Sequence, residues 1–405
     1  MIHYMTSNGL GNAWVGNELR AVLKEGIPVA VHALNRPAKT FFTAPEMARL
    51  DRETRGLYPV RRFRFAQSVL LAPLLFRERS LLAAWNALTG ERESLTIRAK
   101  GIWHLLVACD WARGLRDRPP ALIHSQWIHS GGTVAMYGAW LLGVPFSFTG
   151  HAADLFRERA ALRDKIKRAD FIVCISEFHR EFFLREGARP EQLIIAYCGI
   201  DPSHFAPRQG PRPDAVRPRI LSSGRLVEKK GFSYLIEACD ILRARGLDFE
   251  CVIAGNGPLE ESLRALVKER KLEDRITITG EALMQEKLPE FMRSGDVYCL
   301  ACVWASDNDV DGLPQMLMEA MACGLPVVST RLVGIPDLVI DGETGLLAKP
   351  NDAAGLADAL QRMIEDPALA QRLAAAGRKY VVEKFDLATC LNSLTERFKG
   401  ALGGA

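Results

Sequence analysis

A membrane-spanning helix requires about 20 consecutive apolar residues, and this sequence has no such run. The longest candidate, SVLLAPLLF at Ser68–Phe76, is too short. The opening MIHYMTS reads as a strand, without the basic region and cleavage site of a secretory leader. Charge of one sign is scarce: 52 Lys and Arg against 48 Asp and Glu leave +4, which argues against a nucleic-acid partner. The nine cysteines are odd in number and scattered through apolar runs, so a reducing compartment is expected rather than a disulfide framework. Cys299 and Cys302 form one C-x2-C, but no second pair stands at zinc spacing, and VYCLACV reads as a buried strand. No repeat recurs at solenoid spacing.

What is present is an ordinary globular composition, 48% apolar and 25% charged, in 405 residues. At roughly 150 residues per domain, that length predicts two to three domains. Strand-like runs at Ile2–Thr6, Val29–Leu34, Leu122–Ser125, Pro145–Thr149, Phe171–Ile175 and Leu193–Ala196 alternate with helical patterns. Val15, Leu19, Val22 and Leu23 supply one such amphipathic face. Pro207, Pro211, Pro213 and Pro218 then break regular structure, so 208–218 reads as a linker. A second alternating series runs from Arg219, with strands at Ile220–Ser223, Glu250–Ala254, Ile276–Thr279, Val297–Ala301 and Pro326–Ser329. The fold class is therefore α/β, with two doubly wound, Rossmann-like parallel sheets. The predicted organisation is 1–207 as the first domain, joined by a closing helix at 386–405, and 219–385 as the second. Ligands in such sheets bind at the carboxyl ends of strands, and a cleft between the two domains is the expected site.

The most informative stretch is SDNDVDGLPQMLMEAMACGLPVVS, residues 306–329. Asp311 and Glu319 are separated by seven residues, of which Gly312, Leu313 and Pro314 form a turn and the rest open a helix. A loop acid, a helix acid and open amides near a helix start suit a polyhydroxylated ligand carrying phosphate. The plain alternative is a loop acid plus a buried helix acid. Upstream, SSGRLVEKKGF places Gly224 at a strand end, then Arg225, with Lys230 five residues on. A planar guanidinium and a lysine point charge can together hold a diphosphate, although a surface Arg and Lys beside a helix start would read alike. Gly255 and Gly257 in AGNGP mark another strand-to-helix turn.

In the first series, SNGLGNAW follows the first strand, and Gly9 and Gly11 would let its backbone approach an anion. A dinucleotide fingerprint fails there. The third glycine position is Trp14, and the second strand ends His32-Ala33-Leu34-Asn35 without an acid. His151, in VPFSFTGHAADLF, stands just after a strand beside Gly150, with Asp154 placed to orient the loop or cap a helix. A lone His is ordinarily structural or exposed. A hard cation needs several converging oxygens, which the spacing of Asp307-Asn308-Asp309-Val310-Asp311 alone does not show, and no metal is expected.

The run GLPQMLMEAMACGLPVVS resembles the E-x7-E signature of the retaining GT-B glycosyltransferases, the family that includes bacterial exopolysaccharide and colanic-acid-type transferases. Asp311 stands where that family usually has Glu, which keeps the charge and shortens its reach. GRLVEKKGF resembles the family's GRLxxxKG, GHAAD its His element, and AYCGIDPSHF and VGIPDLVIDGETGLLAKPND further family segments. Residues 40–120 show no motif. The resemblance implies a metal-independent, retaining transferase of hexosyltransferase type. It would use a UDP-sugar or GDP-sugar donor, no cofactor, and a glycan or polyprenyl/lipid-linked acceptor. It implies that Arg225 and Lys230 hold the donor diphosphate, with Lys229 solvated. Asp311 would contact the transferred sugar, Glu319 the ribose, and His151 the sugar's 6-hydroxyl. The turns at Gly9, Gly11, Gly224, Gly255, Gly257 and Gly312-Leu313-Pro314 would border donor phosphates. His124 and His129, in HSQWIHSGG, are candidate acceptor contacts.

Residues 49–64 hold six Arg against two acids, with Leu50, Leu57, Tyr58, Val60 and Phe63 interleaved, and SVLLAPLLF follows. Segment 49–79 thus suits an anionic membrane surface, or else a solvated loop whose Arg stems cover apolar surface. The expected location is cytoplasmic, with peripheral docking on the inner face of the plasma membrane. Two readings stand beside transfer: a sugar-nucleotide epimerase or hydrolase on the same scaffold, and a non-catalytic partner subunit.

Overall fold

A computed structural model describes all residues except 11–12, 37–44, 91, 93, 153–154, 157–158, 211, 213–216 and 405. Contacts divide the chain into two compact units, Met1–Tyr197 with Leu391–Ala405, and Cys198–Cys390.

The first unit is built on seven strands: β1 (Ile2–Thr6), β2 (Val29–Ala33), β3 (Arg55–Gly56), β4 (Leu122–Ser125), β5 (Phe146–Gly150), β6 (Phe171–Cys174) and β7 (Leu193–Ile195). Their order is β3-β2-β1-β4-β5-β6-β7, and every pairing is parallel. Strands β1, β4, β5 and β6 are buried at every position, as a sheet covered on both faces requires, so polar side chains such as His124, Ser147 and Thr149 lie inside with the apolar ones. The strand order reverses between β1 and β4, and the segments leaving those strands meet there. The helices are α1 (Ala13–Lys24), α2 (Pro45–Glu53), α3 (Arg62–Phe76), α4 (Glu78–Thr89), α5 (Leu95–Arg113), α6 (Ser130–Leu142), α7 (Leu162–Arg168) and α8 (Glu177–Arg185). Helices α3–α5 fill the stretch in which the sequence shows no motif. Apolar residues sit on both their buried and exposed faces, for example Phe76 against Leu74, and this blurs the 3.6-residue period.

The second unit has β8 (Arg219–Ser223), β9 (Glu250–Ala254), β10 (Ile276–Ile278), β11 (Val297–Leu300), β12 (Val327–Thr330) and β13 (Leu346–Ala348). Their order, β10-β9-β8-β11-β12-β13, is again wholly parallel. This is the dinucleotide-fold order, with its switch point between β8 and β11. The helices are α9 (Phe232–Ala244), α10 (Glu260–Glu269), α11 (Leu288–Arg293), α12 (Gln315–Ala322), α13 (Ile335–Leu338), α14 (Ala353–Glu365) and α15 (Pro367–Lys384). A last helix, α16 (Leu387–Gly403), carries the chain into the first unit. There the Phe398 ring lies 5.2 Å from His124, Arg397 donates to the Glu191 carbonyl at 3.1 Å, and Lys399 pairs with Glu25 at 2.7 Å.

Among the described residues, no helix is long and apolar enough to cross a membrane.

Candidate active site

In the second unit, the predicted residues gather at the carboxyl ends of β8 and β11, on either side of the switch point. Ser222 and Ser329 hydroxyls donate to the Cys299 and Leu300 carbonyls and tie β8 and β12 to β11. Beyond β8 the chain turns through Gly224 and Arg225 and closes one short helical turn at Glu228–Lys230. It then enters α9 through Gly231, whose φ is +64°. A Cβ at Gly231 would lie 1.8 Å from the Ala301 carbonyl oxygen, so only glycine lets this loop lie against the end of β11. Gly255 meets the same limit, 1.9 Å from the Gly224 oxygen. Gly257 packs on the Leu226 backbone, and Leu226 N–H donates to the Asn256 carbonyl at 2.8 Å. The AGNGP turn thus supports the Gly224–Arg225 loop directly.

The geometry that results is a cation–carboxylate cluster. Lys230 Nζ lies 2.6 Å from Asp311 Oδ2, and both side chains are 13% exposed. Lys229 Nζ lies 3.1 Å from Asp309 Oδ2 and 3.2 Å from Asp311 Oδ1. This corrects the expectation that Lys229 is solvated. The Lys229 carbonyl accepts from Val303 N–H at 3.0 Å, which holds the lysine pair against the segment after β11. The acidic run 307–311 is thereby explained in part: Asp309 and Asp311 turn toward ammonium groups. Among the described residues, no group of three His, Cys, Asp or Glu side chains is arranged to hold a metal ion.

Burial would depress the Lys230 ammonium, but Asp311, with Cys302 and Glu319 adding to it, outweighs that burial, and the net direction is up. Burial would raise Asp311, but Lys230 and Lys229 hold it below the usual carboxylate range. The pair is ionised on both sides. The Cys302 thiol, driven upward by burial and by Asp311, stays protonated and lies 3.7 Å from Asp311 Oδ2. Sequence reading passed over Cys302 because its C-x2-C spacing speaks only to metals and redox.

Gly312, Leu313 and Pro314 are buried, and Pro314 is the N-cap of α12. The Gly312 carbonyl accepts from Gly334 N–H at 3.0 Å, which ties the turn to the segment before α13. Glu319, on α12, is 4% exposed, and its charge acts on both Lys230 and Tyr298. Arg225 is exposed and, among the described residues, has no carboxylate within ion-pair distance. So Lys230, Asp311 and Glu319 come together, and Arg225 stands beside them on the Gly224 loop with its side chain in solvent.

In the first unit, the segments leaving β1, β4 and β5 enclose a buried polar network. Gly9, at φ +55°, belongs to the turn after β1; Gly11 and Asp154 lie outside the described residues. His151, after β5, is 7% exposed, and its ring lies 4.9 Å from Trp127. Burial first, then the neighbouring His179, His129 and His124, push it down to about 3, so it is neutral. Gln126 meets the His151 ring twice, with its side-chain nitrogen 3.5 Å from Nε2 and its backbone as acceptor. The same Gln126 amide donates to Glu18 Oε2 at 3.2 Å, while the Tyr4 hydroxyl contacts both Glu18 and Gln126. Glu18 is buried and raised to about 7 by that burial, against the lowering effect of Tyr4 and Gln126. It had a readable signal: an acid at position 18 inside the apolar face of Val15, Leu19 and Val22.

The acceptor-side expectation for His124 fails. It is wholly buried, with Nδ1 2.9 Å from Ser147 and Nε2 3.2 Å from Thr149, and is a core residue of the sheet. His129 caps α6, its Nδ1 accepting from Ser130 N–H at 2.7 Å.

Two parallel doubly wound sheets, one with this cluster at its switch point, define an α/β protein of the GT-B class. The second half, residues 207–380, matches the model "Glycosyl transferases group 1", and residues 86–204 match "Glycosyltransferase Family 4". Both matches make the chain similar to the family-4 type of GT-B glycosyltransferases. It is 34% identical over 254 residues to the amylovoran biosynthesis glycosyltransferase AmsK of Erwinia amylovora, covering 61% of either chain. It is 38% identical over 194 residues to the putative colanic acid biosynthesis glycosyltransferase WcaL of Escherichia coli, covering 48% of this chain and 47% of that one. The aligned stretches thus span about half to three fifths of these relatives' lengths. The crystal structure of Anabaena HepE in complex with UDP superposes with a TM-score of 0.74 at 17% identity, covering 98% of this chain and 99% of that one.

Proposed function

We propose that the protein is a retaining transferase that moves a sugar from a nucleoside-diphosphate sugar to a glycan or lipid-linked acceptor. The expected setting is cell-surface polysaccharide or glycolipid biosynthesis. The observation that carries this reading is the meeting of Lys230, Asp311 and Glu319 at the switch point between β8 and β11. Anionic ligands of such sheets bind at that place.

In the transfer, the bond from the anomeric carbon to the donor's β-phosphate oxygen breaks, and negative charge grows on the departing diphosphate. Lys230 is held charged in a half-dry site, and Arg225 stands free to turn onto the phosphates. Fixed donors of this kind stabilise the transition state more than the ground state. Removing one typically costs about 10²–10³ in kcat. Glu319 takes the ribose hydroxyls, and Asp311 the transferred sugar once the diphosphate shares its lysines. No side chain is assigned as covalent nucleophile. Departure and attack on one face of the sugar, with the leaving phosphate as base, is the route this family expectation favours.

The acceptor belongs to the first unit in this reading, with His151 beside the reacting sugar. The Arg-rich stretch 49–79 docks on an anionic membrane surface, and the location is the cytoplasmic side of that membrane. The names of the similar relatives, amylovoran and colanic acid biosynthesis glycosyltransferases, support a polysaccharide setting.

The test is thermal stabilisation by UDP, GDP and their sugars, followed by donor turnover with and without lipid-linked acceptor. Ligand at 100 times its Kd raises stability by about 2.7 kcal/mol. Turnover of donor without acceptor would instead favour the epimerase or hydrolase. Failure of every sugar nucleotide to bind would end the transferase reading.

A further inference from the structure

Helices α3 and α4 present an apolar face to solvent. Phe63, Leu70 and Leu74 on α3, and Leu81, Trp85 and Leu88 on α4, are each more than half exposed. On α3 these positions follow a helical stripe, with Leu70 seven residues and Leu74 eleven after Phe63. On α4, Leu81, Trp85 and Leu88 recur at i, i+4 and i+7. Helix α5 adds Leu95 and Trp103. Single exposed apolar side chains are normal, but a contiguous set on successive helices marks an interaction surface.

A second, independent feature adjoins this face. A cavity of about 360 Å³ is lined by Arg79 on the first turn of α4, Trp140 and Gly143 at the end of α6, and Lys167 and Arg168 at the end of α7. The Arg168 guanidinium lies 3.1 Å from the centroid of the Trp140 ring and is half-buried. Burial lowers its pKa, and the one acid that acts on it, Asp164, is engaged by Arg92 at 2.7 Å. Arg79 is seated, not trailing: a Cβ at Gly143 would lie 2.0 Å from its guanidinium nitrogen. Among the described residues, Arg79, Lys167 and Arg168 have no carboxylate within ion-pair distance. Three cations around one cavity, with no described carboxylate in ion-pair reach of them, form a site for an anion. Leu82, also more than half exposed, lies three residues from Arg79 on α4, so the cavity opens beside the apolar face.

We propose that α3 and α4 lie on a phospholipid bilayer, and that Arg79, Lys167 and Arg168 hold the phosphate of an anionic lipid headgroup. An apolar face with interfacial Trp residues enters the acyl boundary while cations meet the lipid phosphates. A second protein copy would cover the apolar face but would leave the three cations unanswered. This deepens the membrane part of the reading above and does not depend on its transfer chemistry.

The test uses the full chain without any sugar nucleotide. It measures sedimentation with vesicles of phosphatidylcholine alone and of phosphatidylcholine mixed with phosphatidylglycerol, at low and high salt. The expected result is strong binding to the anionic vesicles, weakened by salt. Arg79→Gln and Lys167→Gln each lower that binding about fivefold, from about 1 kcal/mol per basic side chain at the surface. The double variant Leu81→Glu, Trp85→Glu abolishes binding to either vesicle. The wild-type comparison alone is decisive if a variant fails to melt cooperatively. Absence of binding to anionic vesicles overturns the proposal. So does binding that is indifferent to Arg79→Gln and Lys167→Gln, or that survives Leu81→Glu, Trp85→Glu. Stabilisation by inorganic phosphate without vesicle binding would assign the cavity to a soluble anion. A concentration-dependent dimer split by the double variant, again without vesicle binding, would assign the apolar face to self-association. Each of these also overturns it. Sugar-nucleotide binding is measured separately, so a failure here leaves the transferase reading standing.

Discussion

The Lys230 ammonium lies 2.6 Å from Asp311 Oδ2, and the same carboxylate lies 3.2 Å from Lys229 Nζ. Without ligand, Asp311 therefore balances Lys230, which the proposed function assigns to a diphosphate, and its neighbour Lys229. A carboxylate and a phosphate compete for one lysine. Asp311→Asn removes the competitor, so UDP or GDP should bind several-fold more tightly while transfer slows. The unliganded variant should also melt earlier, because two ammonium groups then share a site that is mostly out of water. Calorimetric titration of nucleoside diphosphate into the variant checks this; unchanged or weaker binding would show that Asp311 does not hold the lysines back.

Lys230→Ala removes the cation itself. Transfer should fall by at least about 10²-fold, the cost of losing one fixed donor to developing charge. Lys229 remains to pair with Asp311, so the fold should persist, as read by circular dichroism. A near-normal rate in this variant would refute the role assigned to Lys230.

Arg225 differs because the unliganded protein spends nothing on it. Its side chain is exposed and has no ion pair among the described residues. Arg225→Ala should change stability by no more than about 0.5 kcal/mol and yet cut kcat. Arg225→Lys should rescue only in part, since a point charge cannot reproduce the planar fork on two phosphate oxygens. A variant with lowered stability and intact turnover would place Arg225 in the structure instead of the chemistry.

Glu319 is 4% exposed on α12, and its charge reaches Lys230. Glu319→Gln keeps its shape and removes the charge. Loss of a charge-assisted hydrogen bond to ribose, about 1.5–3 kcal/mol, should weaken donor binding roughly 10- to 100-fold. The deoxyribose analogue should then bind wild type and variant with similar affinity. Should the variant discriminate ribose from deoxyribose as wild type does, Glu319 has another task.

Much of this was legible in the sequence because glycine and charge patterns are local. The strand end at Gly224, the Gly255–Gly257 turn, the Asp311–Glu319 spacing and the strand alternation each depend on a few neighbouring residues. Helices α3–α5 were less so, because their apolar residues serve both a core and an exposed face, and periodicity cannot separate the two; strand β13 is only three residues long, too short for a periodic signal. The state of Lys229 was illegible for another reason. Its partners Asp309 and Asp311 lie about 80 residues away and are brought to it only by the pairing of β8 with β11. His124 shows the reverse error: a polar residue beside a promising loop, whose two ring nitrogens are used up by Ser147 and Thr149 on the next strand.

Glu18 contributes one component of the pH dependence of the first unit, beside its buried histidines. Burial raises its carboxyl from 4.5 to about 7, so the folded state favours the protonated form. Below pH 4.5 both states are protonated, and Glu18 imposes no penalty. Between 4.5 and about 7 the unfolded chain releases this proton first, and stability falls as pH rises through that window. The full penalty, about 3 kcal/mol, is reached above about pH 7. Glu18→Gln keeps one acceptor oxygen for Tyr4 and cannot ionise, so it should stabilise the protein at about pH 8 and leave it nearly unchanged at about pH 4. Urea melts at the two pH values measure the difference. A gain at low pH, or a loss at high pH, would mean that the ionised carboxylate is what the Tyr4 hydroxyl and the Gln126 amide are built to hold, and that His151 is set against a permanent charge.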